Sequence, residues 1–147
     1  MGYFGALDIG ASALTAQRLR MDTISQNIAN VNTTRTEDGT PYRRKLVIFE
    51  EKAKDAPFSD YLSASSKDRL VGGGVRVARI FEDSTPFKKV YDPGNPDADA
   101  EGYVQMPNVD IVTEMVNMIS ATRAYEANVT SINTAKSMAM KALEIGR

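Results

Sequence analysis

Hydrophobic residues recur at helical spacing at both ends of the chain, and the pattern between them is short and alternating. Near the N-terminus the apolar residues occupy two positions of a heptad repeat and so share one helix face. These seam residues are Leu14, Met21, Ile24, Ile28 and Val31. Gly5 and Gly10 weaken the beginning, because Gly costs about 1 kcal/mol relative to Ala inside a helix. The clearest part of the predicted helix therefore runs from about Ser12 to Asn30, where Asn suits a left-handed closing residue.

The C-terminal segment predicts a second, longer helix. Pro107 and Asn108 are placed to stop the preceding segment and to cap the helix, and Asp110 complements the dipole of its first turn. Mostly apolar residues then follow at alternating intervals of four and three, without Gly or Pro before Gly146. The seam members in this segment are Ile111, Met115, Met118, Tyr125, Val129, Ile132 and Leu143. The pattern predicts a helix of up to about 37 residues, roughly 55 Å long.

The faces of both predicted helices that lie away from the seam are poor in charge. They carry small uncharged polar residues, which can be buried at far lower cost than charges when they are hydrogen-bonded. The C-terminal helix also has a second apolar row formed by Val112, Val116 and Ile119. We interpret these faces as contact surfaces for other subunits. A simpler alternative, in which the two helices pack only against each other as a hairpin, stays open at this point.

The middle of the chain predicts short strands joined by turns. Residues 42–51 and 74–82 are rich in β-branched and aromatic side chains, with partial alternation of apolar and polar positions. We expect two shorter strands within 86–91 and 102–105, and a variable loop at about 52–73, which is polar with few large apolar residues. The expected fold class is α+β: long N- and C-terminal helices pair as a coiled coil, with a small β-rich central domain.

Charge divides the chain into the same three parts. Residues 33–107 contain 25 of the 37 charged residues and all six prolines, whereas residues 1–32 contain four charged residues and residues 108–147 contain eight. We therefore predict an N-terminal helical segment in 1–32, a central β-rich domain in 33–107 that includes the variable loop, and a C-terminal helical segment in 108–147.

The composition removes most common catalytic and metal-binding chemistries. The 147 residues include no Cys and no His, which excludes disulfides, thiol nucleophiles, imidazole metal ligands and Ser-His-Asp triads. A formal net charge of −1 gives no support to nucleic-acid binding through bulk electrostatics. No run reaches the roughly 18 apolar residues of a membrane span, and the N-terminus lacks the basic region of a cleaved secretory signal. We expect neither nucleic-acid binding nor direct membrane insertion.

Two charged clusters remain as candidates for chemistry. Asp97, Asp99 and Glu101 stand at alternate positions, as the ligands of an EF-hand loop do. The twelfth position of that loop is Asn108, where a bidentate Glu is required, so the three carboxylates are weak metal candidates and a solvated turn is favoured. The basic trio at 43–45 is interpreted as a solvated or inter-subunit face. We predict no catalytic residue, no metal and no cofactor.

Several motifs together resemble the flagellar rod, hook and related axial proteins. The run 12–34 resembles the signature of that family, and the segment Pro41-Tyr-Arg-Arg-Lys45 is similar to its proximal-rod members. Further similar segments lie at 90–94, 96–99, 102–104, 107–109 and 114–128. The motif residues are Asn27, Asn30, Asn32, Pro41, Tyr42, Arg43, Pro107, Asn108, Arg123, Tyr125 and Asn128. The chain departs from the family at Asn95, where His is frequent, and in the variable loop.

The resemblance implies a structural subunit of the bacterial flagellar basal body, in the proximal rod. Such subunits pass, unfolded or partly folded, through the flagellar type III export apparatus with an uncleaved N-terminal signal, and assemble in the periplasm and cell envelope. Their terminal helices pair as a coiled coil that lines a tubular drive shaft transmitting motor torque, and the central region lies outside. The implied partners are other rod proteins, copies of the same chain and the export apparatus.

Other classes of protein remain as alternatives to this interpretation. A non-flagellar helical-hairpin adaptor or an export chaperone would be a stable monomer or dimer with folded ends. A carboxylate-based enzyme would need paired acids in a pocket, and the acidic cluster at 97–101 lies in a turn. A membrane-surface helix would need many basic residues on its polar face, and the first helix offers Arg18 and Arg20 alone.

Overall fold

The computed structural model describes residues 3–52 and 73–146. Within these residues two long helices flank a small central region that contains two two-stranded antiparallel sheets, which confirms the predicted α+β class. The elements are α1 (Tyr3–Ala29), β1 (Lys45–Glu51), β2 (Val75–Glu82), β3 (Lys88–Tyr91), β4 (Tyr103–Met106) and α2 (Ile111–Ile145). Apart from Lys52 and Gly73, the variable loop predicted at about 52–73 lies outside the described residues.

Helix α1 begins at Tyr3, nine residues before the predicted clear start at Ser12. The two glycines in this extension have different surroundings. A Cβ on Gly5 would meet nothing within 4 Å, whereas a Cβ on Gly10 would lie 2.7 Å from Cγ1 of Ile132 in α2. Gly10 therefore permits a close approach of the two helices. This packing offsets the low helix propensity of Gly that limited the sequence-based boundary.

Helix α1 ends differently from the prediction. The only positive φ angles among the described residues belong to glycines, so Asn30 does not close the helix in a left-handed conformation. Instead, the Asn30 backbone N–H and its Nδ2 both donate to the carbonyl of Gln26, at 3.1 and 2.9 Å. The Thr33 N–H then donates to the Asn30 carbonyl at 3.0 Å. A tightening turn terminates the helix.

Helix α2 has 35 residues, close to the predicted length, but its cap is Asp110 and not Asn108. The Asp110 carboxylate accepts from the Val112 N–H at 3.0 Å and from the Thr113 hydroxyl at 3.3 Å. This is the geometry by which an Asp satisfies free N–H groups in the first turn. The prediction of Asn108 as the cap was wrong because the Asn108 side chain is engaged by the central region, as described below.

The strands form two separate pairs. The β1–β2 pair is closed at one end by the Asp83 N–H donating to Arg44 O at 2.8 Å. At the other end Lys52 N–H donates to Gly74 O at 2.8 Å, and Gly74 has a positive φ of 106°. The β3–β4 pair is antiparallel, with Lys88 opposite Met106 and Tyr91 opposite Tyr103.

The chain divides into two compact units, and both helices contribute to each. The first unit comprises the described parts of residues 1–18, 49–78 and 123–147, and the second comprises residues 19–48 and 79–122. In the second unit α1 and α2 run antiparallel, because Met21 meets Thr122 and Asn27 meets Glu114. Among the described residues, no helix is long and apolar enough to cross a membrane.

Candidate functional site: a buried polar junction and an exposed apolar helix face

Six polar side chains from distant parts of the sequence meet inside the second unit. We call this cluster the polar junction, and its members are Asn27, Tyr42, Arg44, Asp83, Asn108 and Glu114. It joins the end of α1, the beginning of β1, the end of β2 and the first turn of α2. Glu114 is 1% exposed and Asn27 is also 1% exposed, so the centre of the junction lies away from water.

Arg44 and Glu114 form the charged centre of the junction. The Arg44 Nη2 and Nε atoms both donate to Oε1 of Glu114, at 2.5 and 2.9 Å. The Arg44 Nη1 atom lies 3.6 Å from Oδ2 of Asp83. Removing one partner of a buried pair typically costs about 3–5 kcal/mol, because an uncompensated charge stays behind in a low-dielectric site. Arg44 and Glu114 therefore each need the other to compensate their charge in this buried site.

Asn27 uses all of its hydrogen-bonding capacity in the junction. Its Oδ1 accepts from the Lys45 N–H at 2.9 Å and from the Tyr42 hydroxyl at 3.0 Å. Its Nδ2 donates to Lys45 O at 2.8 Å and to Oε2 of Glu114 at 3.0 Å. Because a primary amide offers two donors and two acceptor sites, no other residue type can fill all four roles at this size. One side chain of α1 thus holds both β1 and α2.

Asn108 fixes the neighbouring position of β1. Its Oδ1 accepts from the Arg44 N–H at 2.8 Å, and its Nδ2 donates to Thr85 Oγ1 at 2.8 Å and to Asp83 O at 3.1 Å. Two asparagines therefore bind consecutive backbone positions of the chain, Arg44 and Lys45, one from each helical end of the sequence. The beginning of β1 is held in place by side-chain amides as well as by its partner strand.

Two titratable groups at the junction have shifted pKa values. The Thr85 backbone N–H, then the Thr85 hydroxyl and Arg44, hold the pKa of the Asp83 carboxyl below its ordinary value of 3.8, against the opposing effect of burial. Burial, followed by the carboxylates of Glu82 and Glu114, raises the pKa of the Tyr42 hydroxyl above 10.0. The lowered pKa favours an ionised Asp83, which accepts from the Thr85 N–H, and the raised pKa favours a neutral Tyr42, whose hydroxyl donates to Asn27.

A second candidate feature is the solvent-facing side of the first three turns of α2. We call it the outer apolar face, and its members are Ile111, Val112, Met115, Val116 and Ile119. Their exposed fractions range from 41% for Ile111 to 70% for Val112. The only ionisable side chain between Ile111 and Thr122 is Glu114, which is buried. This stretch of helix therefore presents an apolar surface without charge, which is unusual for a surface that stays in water.

The structure distributes the predicted seam residues over three environments. Ile24 is buried, and Ile111, Met115 and Leu143 are exposed. The remaining members are half-buried, namely Leu14, Met21, Ile28, Val31, Met118, Tyr125, Val129 and Ile132. The intrachain face of α2 is shifted by about one position from the predicted seam, since its most buried members are Glu114 and Ala121. A role of the seam in assembly stays a prediction.

The family-motif residues also have different local roles. Asn27, Tyr42 and Asn108 belong to the polar junction, and Pro107 is buried beside it. Arg43 stacks 4.4 Å from the centre of the Phe87 ring. Asn30 and Asn128 donate to carbonyls of their own helices, at Gln26 and Ala124. The other motif residues are Asn32 and Arg123, which are exposed, and Pro41 and Tyr125, which are half-buried.

Sequence reasoning missed the charged centre of the junction. The basic trio at 43–45 was interpreted as a solvated or inter-subunit face, but the Arg44 side chain is 19% exposed and points at Glu114. The available signal was Glu114 itself, the single charged residue in the stretch of α2 from Ile111 to Thr122. A lone charge in a helix segment that packs against other elements indicates a partner of opposite charge, since unpaired charges are rarely buried.

The acidic turn does not assemble a cation site. Asp97 accepts from the Thr34 hydroxyl at 2.7 Å, whereas Asp99 accepts from the backbone N–H groups of Glu101 and Tyr103. Among the described residues, no three Asp, Glu, His or Cys side chains come together in a way that could hold a metal ion. The turn lines an open cleft of about 460 Å³, in which Arg35 lies 4.0 Å from Asp97.

Comparisons with known proteins converge on one family. Residues 7–35 match the family described as flagella basal body rod protein, and residues 100–145 match the family described as flagellar basal body rod FlgEFG protein C-terminal. The chain is similar to the flagellar basal-body rod protein FlgC of Bacillus subtilis, with 52% identity and full coverage of both chains. It is also 52% identical to FlgC of Borreliella burgdorferi, over 99% of this chain and 98% of the relative. FlgC of Escherichia coli O157:H7 is 46% identical over the full length of both.

Proposed function

The chain belongs to the FlgC family of flagellar basal-body rod proteins, and we propose that it builds that rod through its two terminal helices. It is a structural subunit of the rod and a component of the flagellar basal body in the cell envelope. The finer proposal is that it occupies the proximal rod and contributes to a tubular drive shaft. Its partners there are other rod proteins and further copies of the same chain.

The outer apolar face carries this proposal. A neighbouring helix that covered Ile111, Val112, Met115, Val116 and Ile119 would remove five large apolar side chains from water without burying any charge. Burial of one such side chain is worth about 1.5–3 kcal/mol. Head-to-tail contacts repeated from subunit to subunit generate an open helical assembly when the rotation between subunits does not close a ring. The same arrangement transmits torque through many side-by-side helices.

The half-buried seam residues extend this proposal to the rest of the helices. Met118 and Ile132, for example, are only half-buried in the single chain, and Ile132 packs against Gly10 of α1 while part of its side chain stays available to a neighbour. The methionines suit contacts with non-identical neighbours, because their thioether chains adapt to irregular gaps. We propose that 1–32 and 108–147 form the axial part of the subunit and that 33–107, with its variable loop, forms the outer part.

We further propose that the subunit leaves the cytoplasm through the flagellar type III export apparatus and that it has no catalytic role. Family membership supports both statements. The export proposal predicts that the chain accumulates in the cytoplasmic fraction when the export apparatus is inactivated. Recovery of the chain outside the cytoplasm in such cells would contradict it.

A matched pair of isoleucine substitutions tests assembly through the helices. Ile119 on the outer apolar face is 55% exposed, and Ile80 on β2 is 46% exposed. Because both side chains face water in the single chain, Ile119→Asp and Ile80→Asp should both leave the isolated protein folded. We expect Ile119→Asp to abolish swimming in a strain that depends on this gene, because a carboxylate would be buried in the subunit contact. The strain that carries Ile80→Asp should swim normally.

The outcome is read by motility in soft agar and by circular dichroism of the purified variants. Normal swimming of the Ile119→Asp strain, with wild-type amounts of protein in purified basal bodies, would contradict assembly through this face. Equal loss of swimming in both variants would mean that the effect is not specific to the outer apolar face and would also contradict the proposal.

A further inference from the structure

The packed faces of α1 and α2 in the second unit contain little that would fix their alignment. Their fully buried members are Thr23, Ile24 and Asn27 in α1, and Glu114 and Ala121 in α2. Only Ile24 is a large apolar residue. Small residues pack acceptably at many positions along a facing helix, whereas a buried polar residue at one position can select a single register. Apolar packing alone is therefore a weak determinant of the alignment.

Glu114 is the only charged side chain among the described residues that is fully buried. Its two oxygens are satisfied at one place, by Arg44 on one side and by Asn27 on the other. Arg44 is tied to α1, because the next residue, Lys45, is bound through its backbone N–H and carbonyl to Asn27. The Arg44 N–H also donates to the side chain of Asn108, which precedes α2. The acid on α2 is thus matched to a basic partner that is anchored to the end of α1, and the Asn108 bond supports the same alignment.

A displacement of α2 along α1 by one heptad illustrates the kind of misalignment that the Arg44–Glu114 pair would oppose. Moving α2 by seven residues corresponds to about 10 Å at 1.5 Å per residue. It would bring Met115 to the place beside Met21 that Thr122 occupies now. Residues seven apart lie on the same stripe of the helix, so the small side chains would still face α1. Glu114, however, would be carried about 10 Å from Arg44 and left buried without its partner.

We infer that the Arg44–Glu114 pair is a register lock: it selects one alignment of the two helices and contributes little net stability. The pair fits this role because replacing a buried ion pair by apolar residues is often neutral, whereas breaking it is costly. Asn27 and Asn108 complete the lock by fixing β1 to both helical ends. The inference concerns the isolated chain, so its test does not depend on rod assembly.

Cysteine cross-linking measures the alignment directly, because the chain has no Cys of its own. One reporter carries Met21→Cys and Thr122→Cys, at the contact seen between those side chains. The other carries Met21→Cys and Met115→Cys, which come together only after the slide. With Arg44 and Glu114 intact, we expect the first reporter to cross-link at least about tenfold faster than the second, since the slid state strands a charge. In the Arg44→Met/Glu114→Met background the two rates should become comparable.

Denaturant unfolding of the same chains, without the reporters, separates alignment from stability. The double variant should unfold at a midpoint close to that of the original chain, whereas Arg44→Met alone should unfold at a much lower midpoint. As a matched control, Arg76→Met/Glu50→Met removes an exposed ion pair and should leave the cross-linking ratio unchanged. A double variant that cross-links only the 21–122 reporter would overturn the register lock. A double variant as unstable as Arg44→Met alone would also overturn it.

Discussion

The two compact units use the same pair of helices but are held together by different means. In the second unit, side chains from both helical ends and from the residues that flank β1 and β2 converge on a polar junction with a buried centre. In the first unit, the only fully buried positions among the described residues are Gly10 and Ala16. There the C-terminal turns of α2 expose Met138, Met140, Leu143 and Ile145.

The difference indicates which part of the single chain can order itself without a neighbouring subunit. Long-range hydrogen bonds and a buried ion pair give the second unit an arrangement that does not need a neighbour. The described residues of the first unit include few buried apolar side chains, and helices without tertiary packing are marginal in water. We therefore expect the first unit to depend on assembly partners for its order, and the second unit to be the preformed part of the subunit.

The largest expected effect comes from comparing one arginine in each unit. Arg44→Met leaves the carboxylate of Glu114 buried without its cation and should lower the free energy of unfolding by about 3–5 kcal/mol. Arg76→Met removes a pair with Glu50 in which the side chains are 61% and 54% exposed, and it should cost less than about 1 kcal/mol. Urea denaturation followed by circular dichroism measures both. Similar costs for the two variants would contradict the special status of the polar junction.

A smaller effect compares two glycines within the first unit. Gly5→Ala should stabilise α1 by up to about 1 kcal/mol, because Ala is the better helix former and nothing lies near the added methyl group. Gly10→Ala should instead destabilise by about 1–3 kcal/mol, because its Cβ would overlap Cγ1 of Ile132. Amide hydrogen exchange in residues 3–18 reports the local change in α1.

The control for the glycine pair is a double-mutant cycle. Combining Gly10→Ala with Ile132→Ala should cost less than the sum of the two single changes, since the shorter side chain makes room for the methyl group. Additive costs, or stabilisation by Gly10→Ala alone, would show that the two helices do not approach each other closely in solution. That result would remove a tight packing contact between α1 and α2 in the first unit.

The features that could be predicted from the sequence are those governed by local patterns. Helical periodicity located α1 and α2, alternation located the strands, and the row Val112, Val116 and Ile119 anticipated the outer apolar face. The features that could not be predicted depend on residues far apart in the chain. Asn108 and Asp110 are both reasonable caps by local rules, and the choice between them is made by the Arg44 backbone N–H, 64 residues from Asn108. The lone acid Glu114 could be noticed locally, but nothing near it in the sequence identifies Arg44, 70 residues away, as its partner.

The smallest expected effect is a pH dependence confined to the second unit. The pKa of Asp83 is held below 3.8 in the folded chain, chiefly by the Thr85 N–H, so between the lowered value and 3.8 the unfolded chain binds more protons than the folded one. The contribution of Asp83 is therefore fully present above 3.8 and is lost as the pH falls through the lowered pKa. Asp83→Asn keeps an acceptor for Thr85 but cannot titrate, so its unfolding free energy should fall less steeply than that of the original chain as the pH is lowered below about 5. Parallel curves for the two chains over that range would mean that Asp83 is not held in its charged form by the fold.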